Sequence, residues 1–494
     1  MTLLRIAVLQ APAPDFGRAE SAWTALLARI DDAAQDEPDL VVLPEASYPA
    51  WFLGAAAATP PVLADSQVLG DLAERARRHR IHIAAGLVLG RPNAPQNAAV
   101  LLSPDGVELA RASEARPAPW FTAGRGPAAA TIAGAPVALF AGADHLDPRW
   151  VEAIADAGTQ LCIATGAARG WTSAAHPGHA LGDASGFVVP TRATETGAWF
   201  AVAGRVGVEA DSVGYAGGAG LASPGDGWVA RAPEDRPGIV LHACEVAPPH
   251  PGVANAGADT PPATAALSGG GGLTRIAALA LDPSPSVVDL MESVRASVRA
   301  AAALGAEFIL LPDLTGADPR AVTRSEVLPL IEDVSAETHT LVVAAAAERA
   351  GGVLYRSVSV VEDGRLLTTY RETSLHRSDV AAGFQPGSGT APIVRTERAG
   401  ILGLIAGRES LQPSAAASLR RGGAQLLAWC AGHADREVAG RAQTRAWEQR
   451  LPIAAAGGAE AGACIVSEGG TLLAATRPGT PMLTHATVDR RASS

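Results

Sequence analysis

The 494-residue chain contains no lysine: all 39 of its basic residues are arginine. A GC-rich coding preference gives the same result and fits the excess of alanine, glycine and proline, but the chemical consequence does not depend on the cause. Schiff-base catalysis needs a lysine amine and a Walker-type phosphate loop needs a lysine ammonium, so neither is open to this chain. Cysteine is also scarce. Cys162, Cys244, Cys430 and Cys464 lie far apart, with no Cys-x-x-Cys pair and no clustered histidines. That spacing excludes a disulfide framework and a structural zinc site, and the four thiols are expected in the core. Positive charge is in deficit, with 39 basic against 50 acidic residues and a formal net charge of −11. Nucleic acid and anionic membrane are therefore not expected as partners. No run of about 18 apolar residues exists to span a bilayer. The apolar start, Met1 to Gln10, is too short and too weakly basic for a signal peptide. The expectation is a soluble, cytoplasmic protein.

Hydrophobic residues make up 48% of the chain and charged residues 18%, which excludes disorder and permits a large core. Length alone suggests about three domains, but the sequence reads as two, because it repeats. Arg5-Ile-Ala-Val-Leu-Gln10 and Arg275-Ile-Ala-Ala-Leu-Ala-Leu281 are apolar runs of strand length, each followed by a helical stretch (Ala19 to Ala34, Val287 to Leu304). Asp39-Leu-Val-Val-Leu-Pro-Glu45 and Glu307-Phe-Ile-Leu-Leu-Pro-Asp313 come next: a buried strand, a proline that stops it, and a carboxylate just beyond. Asp105-Gly106 and Asp363-Gly364 mark hairpin turns, and Glu114 and Glu372 stand at the same distance after each turn glycine. Two further strands end in Ala-Gly at Gly142 and Gly407. An acid (Asp144, Glu409) and then a proline (Pro148, Pro413) follow at matched spacing. Arg192-Ala-Thr-Glu195 and Arg445-Ala-Trp-Glu448 are expected to start the matching late helices. Between the halves, residues 248–272 are rich in Pro, Ala and Gly and read as a flexible linker. The boundaries are thus 1–247, 248–272 and 273–490, with strands, helices and hairpins pointing to mixed sheets covered by helices.

This order of landmarks resembles the nitrilase, or carbon–nitrogen hydrolase, superfamily across nearly all of both halves. The resemblance implies an α/β fold: two αββα sandwiches in tandem, paired as an intramolecular pseudo-dimer. It also implies a Glu–Lys–Cys triad, in which the glutamate is the base, the lysine stabilises the tetrahedral intermediate and the cysteine attacks an amide or nitrile carbon. Carried over by position, the glutamate corresponds to Glu45 and Asp313, the lysine to Glu114 and Glu372, and the cysteine to Gly142 and Gly407. Each half has therefore exchanged nucleophile and cation for the same two residues. With no lysine anywhere in the chain, no realignment restores the triad.

Two readings of each carboxylate pair stay open. In one, Arg116, Arg125 or Arg371 turns in and neutralises the pair, leaving a closed pocket. In the other, the pair shares a proton or takes up an amine or guanidinium, so the ligand is small and polar or cationic. Only two acidic groups converge, and neither metal nor cofactor is expected. Fifteen of the 21 aromatic residues lie in the first half. Tyr48, Trp51, Trp120, Phe121 and Trp171 flank its landmarks, where the resemblance places the substrate pocket, and the stretch 164–190, with His176, His179 and Asp183, is read as a lid. Asp144 and Glu409 read as caps of the following helix, Arg192/Glu195 and Arg445/Glu448 as ion pairs, and His145 as an exposed residue at a helix start. Two functions follow. The first is a pseudoenzyme kept for binding a small polar or cationic ligand, or as a scaffold that assembles with a catalytic protein partner. The second is an enzyme acting on a small C–N compound by non-covalent acid/base chemistry at Glu45 and Glu114.

Overall fold

Alternation along β1 (Thr2–Pro12) sets the layers of the first unit. Ile6 and Val8 point to one side, into a core shared with Leu139, Ile163 and Ala201. Ala7 and Leu9 point to the other, against Trp23, Leu27 and Ile30 of α1 (Ala19–Ala33). A strand apolar on both faces must be covered on both, by a second sheet within and by helices without. The computed structural model describes residues 2–53, 62–91, 93–167, 169–171, 184–247, 267–282, 286–315, 322–375, 377–389, 392–432 and 435–491. The chain divides into two units, Met1–Ala254 and Asn255–Ser494.

In the first unit, β2 (Leu40–Leu43), α2 (Asp65–His79), β3 (His82–Arg91), β4 (Ala94–Leu102) and β5 (Glu108–Ser113) follow α1. Strands β1, β2 and β3 are parallel, and β4 and β5 return by hairpins. Next come β6 (Ala128–Ile132), β7 (Ala135–Phe140), α3 (Val151–Asp156), β8 (Leu161–Ala164), β9 (Arg169–Trp171), α4 (Ser185–Thr196) and β10 (Trp199–Val202). The unit closes with β11 (Gly204–Glu209), β12 (Val213–Ala216), β13 (Gly220–Ser223), β14 (Gly227–Arg231) and β15 (Gly238–Val246). One sheet has nine strands, in the order β5-β4-β3-β2-β1-β11-β12-β9 with β15 beside β1; the other has six, β14-β13-β10-β8-β7-β6. Helices α1 and α2 cover the first sheet, and α3 and α4 the second.

The second unit repeats the plan. It contains β16 (Gly272–Ala280), α5 (Val287–Ala303), β17 (Phe308–Asp313), α6 (Arg324–Thr338), β18 (Leu341–Ala350), β19 (Val353–Glu362), β20 (Arg365–Arg371), α7 (Arg377–Ala381), β21 (Ile393–Arg395) and β22 (Ile401–Ala406). After these come α8 (Pro413–Arg421), β23 (Leu426–Cys430), α9 (Val438–Gln449), β24 (Ile453–Ala456), β25 (Ala463–Val466), β26 (Leu472–Ala475) and β27 (Met482–Arg490). Its sheets run β20-β19-β18-β17-β16-β27 and β21-β22-β23-β24-β25-β26. Side chains of both sheets meet in one core, with helices packed on each outer face. Each unit is thus an αββα sandwich. The register repeats as well: Ile6 pairs with Leu40 as Ile276 pairs with Phe308. Among the described residues, the first unit adds the strands β9, β11 and β12 to this plan.

One expectation changes, and two others fall partly outside the described residues. Arg192 and Glu195 lie in the last turns of α4, and Arg445 and Glu448 in the last turns of α9, so these motifs end the late helices rather than start them. Of the expected linker, residues 248–266 lie outside the described residues, and its glycine run is not free. Gly272 opens β16, and Gln425 Nε2 donates to the carbonyls of Gly269 and Gly270. Of the expected lid, residues 172–183, with His176, His179 and Asp183, lie outside the described residues. Its ends belong to β8, β9 and α4. No helix among the described residues is long and apolar enough to cross a membrane.

Candidate functional site

Pro44 ends β2, and Glu45 sits in the turn that follows. Its amide donates to the carbonyl of Thr165, just past β8 in the other sheet. The backbone of β3 comes so close that a Cβ on Gly86 would lie 2.4 Å from the Glu45 Cα, so only glycine fits there. Glu114 follows β5 and is tied by its amide to the Asn97 carbonyl of β4. Gly142 follows β7 with φ +55°. The three residues that the family resemblance singles out therefore meet at one end of the sandwich.

What joins them was not foreseen. Asn97 Nδ2 donates to Glu45 Oε1 and to Glu114 Oε2, at 2.7 Å each. Arg169, the first residue of β9, donates from Nη1 to Glu45 Oε2 at 2.5 Å, and its Nη2 lies 3.9 Å from Glu114 Oε1. The Ala167 amide donates to the same Glu45 oxygen at 3.1 Å. Glu45 and Glu114 are 1% and 2% exposed. Burial, then the neighbouring charge of Glu45, pushes the Glu114 carboxyl up to about 7, against the pull of Arg169, the Ala143 amide and Asn97. The arginine that turns in is therefore neither Arg116 nor Arg125, which are exposed. Arg169 takes the place expected for a cationic ligand.

Gly142 and Glu114 are interlocked. Glu114 Oε1 accepts from the Ala143 amide at 2.9 Å, and a Cβ built on residue 142 would lie 2.2 Å from the Glu114 carboxyl carbon. The carboxylate fills the space that any side chain at 142 would need. The second unit repeats the lock: Glu372 Oε1 accepts from the Arg408 amide at 3.0 Å, and a Cβ on Gly407 would lie 2.6 Å from that oxygen. There the cation is Arg356, paired to Asp313 at 2.8 Å and to Glu372 and Asp379 at 3.1 Å each. Arg356 occupies the register position of Asn97, since the amides of Glu372 and Glu114 bond to the carbonyls of Arg356 and Asn97. Arg371 pairs with Glu348 instead of entering the site. Burial raises the Glu372 carboxyl well above its ordinary range.

Asp144 does not cap the turn that follows, whereas Glu409 does: its Oε2 accepts from the Ala406 amide at 3.1 Å, at the head of the short 3-10 turn Gly407–Leu411. Each accepts from the amide that follows the site glutamate, Ala115 for Asp144 and Thr373 for Glu409, and so ties the loop to the elbow. Burial raises Asp144 to about 6 and raises Glu409. His145 is buried rather than exposed. Its Nδ1 is 3.0 Å from the Gly142 carbonyl, and burial lowers its pKa to about 4, so it is a neutral prop for the elbow backbone. The four cysteines are buried in strands and none is an elbow residue, although Cys430 pairs in register with Ala406, the residue before Gly407; burial raises every thiol, to about 12 at Cys244 and Cys464. Arg192–Glu195 and Arg445–Glu448 are ion pairs, as expected.

The aromatic residues divide. Trp51 lies under the Arg169 guanidinium, whose Cζ is 4.2 Å from the ring centre, and packs edge-on with Trp120 and Phe121. Trp120 Nε1 donates to the Trp51 carbonyl. These rings pack on one another and on the arginine. Tyr48 turns away into the helix–sheet core, edge-on to Trp23, with its hydroxyl accepting from the Leu63 amide. Trp171 pairs with Val213 through its backbone, and its side chain lies outside the described residues. Sequence reasoning missed Asn97, Arg169, Arg356 and Asp379. The one available signal was a polar residue in a buried strand, Asn97 beside Ala98-Ala-Val-Leu-Leu102 and Arg356 before Ser357-Val-Ser-Val-Val361.

Two predictions follow from the lock. Gly142→Ala forces a left-handed alanine against Glu114 and should cost about 2–5 kcal/mol. In a Glu114→Ala background, where the clash is gone, the cost should fall to about 1–2 kcal/mol. Denaturant titration of the four variants measures the coupling, and additive costs would show that the two positions are independent. The second concerns pH. The folded chain holds the Glu114 proton more tightly than the unfolded chain, whose value is 4.5, so this contribution is complete below that value and is lost as pH rises through about 7. Glu114→Gln does not ionise, and its stability relative to the parent should rise by on the order of 2–3 kcal/mol from about pH 5 to about pH 8. A pH-independent difference would mean that Glu114 ionises normally.

Comparison with known proteins agrees with the fold. The sequence pattern of the family described as carbon-nitrogen hydrolase matches residues 5–247 and, separately, residues 275–493. Among solved structures, the chain is similar to an amidase from Nesterenkonia sp., at 22% identity over 49% of this chain and 90% of that one, with a TM-score of 0.43. A double mutant of the amidase from Nesterenkonia sp. AN1 in complex with acrylamide matches at 21% identity over 49% of this chain and 90% of that one, also with a TM-score of 0.43. Among curated proteins, none matches the chain. With one family match spanning each unit, the chain belongs to the carbon–nitrogen hydrolase family, twice over in a single polypeptide.

Proposed function

We propose that the chain is a pseudoenzyme of this family, with two units retained for binding or scaffolding and without Cys-dependent amidase or nitrilase activity. The observation that supports this most directly is the lock seen in both units. The elbow residue is glycine, and a buried carboxylate fills the space of its side chain and takes the next backbone amide. An elbow amide of that kind is the donor that would otherwise stabilise a developing oxyanion. Nucleophile, nucleophile space and donor are thus all lost together. Each carboxylate pair is further closed by an arginine, Arg169 or Arg356.

One observation favours the acid/base reading: a carboxyl at about 7 is poised for proton transfer near neutral pH. The surroundings weigh against it. Both oxygens of Glu114 are engaged, by Ala143 and Asn97, and both oxygens of Glu45 by Asn97, Ala167 and Arg169. A general acid needs a substrate atom within hydrogen-bond reach, and at 2% exposure Glu114 has its reach filled by protein.

The test is direct. The purified chain is incubated with short aliphatic amides and nitriles, ammonia is measured, and the protein is weighed by intact mass spectrometry. Neither ammonia above background nor a mass increase is expected. Ammonia release that Glu114→Gln abolishes would establish the acid/base reading instead. A stoichiometric adduct on one of the four cysteines during turnover would overturn both readings.

A further inference from the structure

Beside the turn that carries Glu45, the first unit holds a cavity of about 410 Å³. That volume lies in the range of small-molecule sites. Its apolar wall is built from Pro12, Pro14, Ala22, Ala25, Leu26 and Pro44. Three arginines also line it: Arg18 before α1, Arg29 on α1 and Arg205 on β11.

Arg205 is the anchor. It is 1% exposed, and its Nη1 lies 3.5 Å from Glu209 Oε2. Its Nε and Nη2 are buried and have no hydrogen-bond partner among the described residues. Glu209 is itself held by the Tyr215 hydroxyl and the Phe52 amide, at 2.6 Å each. Nε and Nη2 form one edge of the guanidinium, whose two parallel N–H groups match two oxygens of a single anion. Leaving such an edge buried and unpaired is unfavourable, and an anion in the cavity answers it. Arg29 Nε is likewise buried without a partner among the described residues. On the matching helix of the second unit the arginines are paired, Arg295 with Asp333 and Arg299 with Glu337. The corresponding turn in the second half, residues 281–286, contains no arginine at all. In a chain of net charge −11, these three arginines around one cavity are a local reversal of sign.

We infer that this cavity binds a small organic monocarboxylate. Its carboxylate is held by the Arg205 guanidinium, whose unpaired Nε–Nη2 edge turns toward the cavity to meet it, and its short apolar body lies against Pro12, Pro14 and Leu26. The apolar wall calls for a carbon body as well as a charge. Asp15, which also lines the cavity, disfavours a second negative charge such as that of a phosphate dianion. The site is separate from the Glu45–Glu114 pocket, so its test does not depend on whether that pocket is catalytic.

The experiment is calorimetric titration of the full chain with sodium butanoate, with inorganic phosphate and butylamine as the contrasting arms. Butanoate should bind saturably and butylamine should not bind. Arg205→Gln should weaken butanoate by about tenfold or more, and Arg29→Gln by about threefold. Ala25→Trp, which fills the cavity from an exposed position, should abolish binding, and Arg349→Gln in the second unit should leave it unchanged. If Arg205→Gln does not fold, Arg29→Gln and Ala25→Trp decide the matter. Absence of saturable butanoate binding, phosphate binding more tightly than butanoate, or butanoate binding that survives Ala25→Trp would each overturn the inference.

Discussion

The space just beyond the elbow glycine has room for one group. In each unit it is taken by a glutamate carboxylate from the neighbouring sheet, which leaves 2.2 Å or 2.6 Å between its nearest atom and the Cβ that another residue would bring. Glycine and glutamate are therefore one structural feature, not two. A glutamate at 114 or 372 demands glycine at 142 or 407, and the glycine leaves an amide that the glutamate satisfies. The positive φ of both glycines, +55° and +43°, adds to the demand, because only glycine adopts it without strain. This is why the two halves, so different in aromatic content, agree at these positions.

A buried carboxylate also needs an answer to its charge, and the units supply it from different places. In the second unit Arg356 stands on β19 at the register position of Asn97 and reaches three acids in three directions. The fixed, planar array of donors on a guanidinium suits that task, where a lysine ammonium would act as a point charge. In the first unit the same position holds a neutral amide that bridges the two glutamates, and the cation arrives from β9. The common factor is charge balance, not a particular arginine. Balance is incomplete on both sides: Glu114 and Glu372 keep raised pKa values despite their arginines, because burial outweighs the pairing.

This explains which features were legible in the sequence. The repeat follows from local spacing: a strand, its stop and the residue just past it. The sandwich layers and the meeting of Glu45, Glu114 and Gly142 were legible only through the family resemblance that this spacing carries. The arginines were not. Arg116, Arg125 and Arg371 were natural candidates because they lie near the glutamates in sequence. Arg169 enters instead through the pairing of β9 with β12, and Arg356 through the pairing of β19 with β18. The first pairing leaves no local trace; the second is a hairpin closed by Gly351-Gly352, but that turn does not say which strand residue reaches the acids. Tyr48 misled for a related reason: it is three residues from Glu45, yet the turn sends it to Trp23 on the opposite side of the sheet. The acids at 144 and 409 read as helix caps because their position suits one. The short 3-10 turns in which they lie also aim them back at Ala115 and Thr373, and only Glu409 keeps a capping bond, to the Ala406 amide.

The strands that the first unit adds carry its particular chemistry. Arg169 begins β9 and pairs in register with Tyr215 of β12. The Tyr215 hydroxyl holds Glu209 at the end of β11, and Glu209 is the acid paired with Arg205. Phe52, whose amide bonds the same Glu209, packs on Trp120, which packs on Trp51 beneath Arg169. The arginine that closes the pocket and the arginine that lines the cavity thus share one set of neighbours. Without these strands the second unit closes its pocket from β19 and has, among the described residues, no counterpart of Arg205. The arginine that closes the first pocket and the one that lines the cavity both stand on the added strands, β9 and β11, with Tyr215 and Glu209 between them.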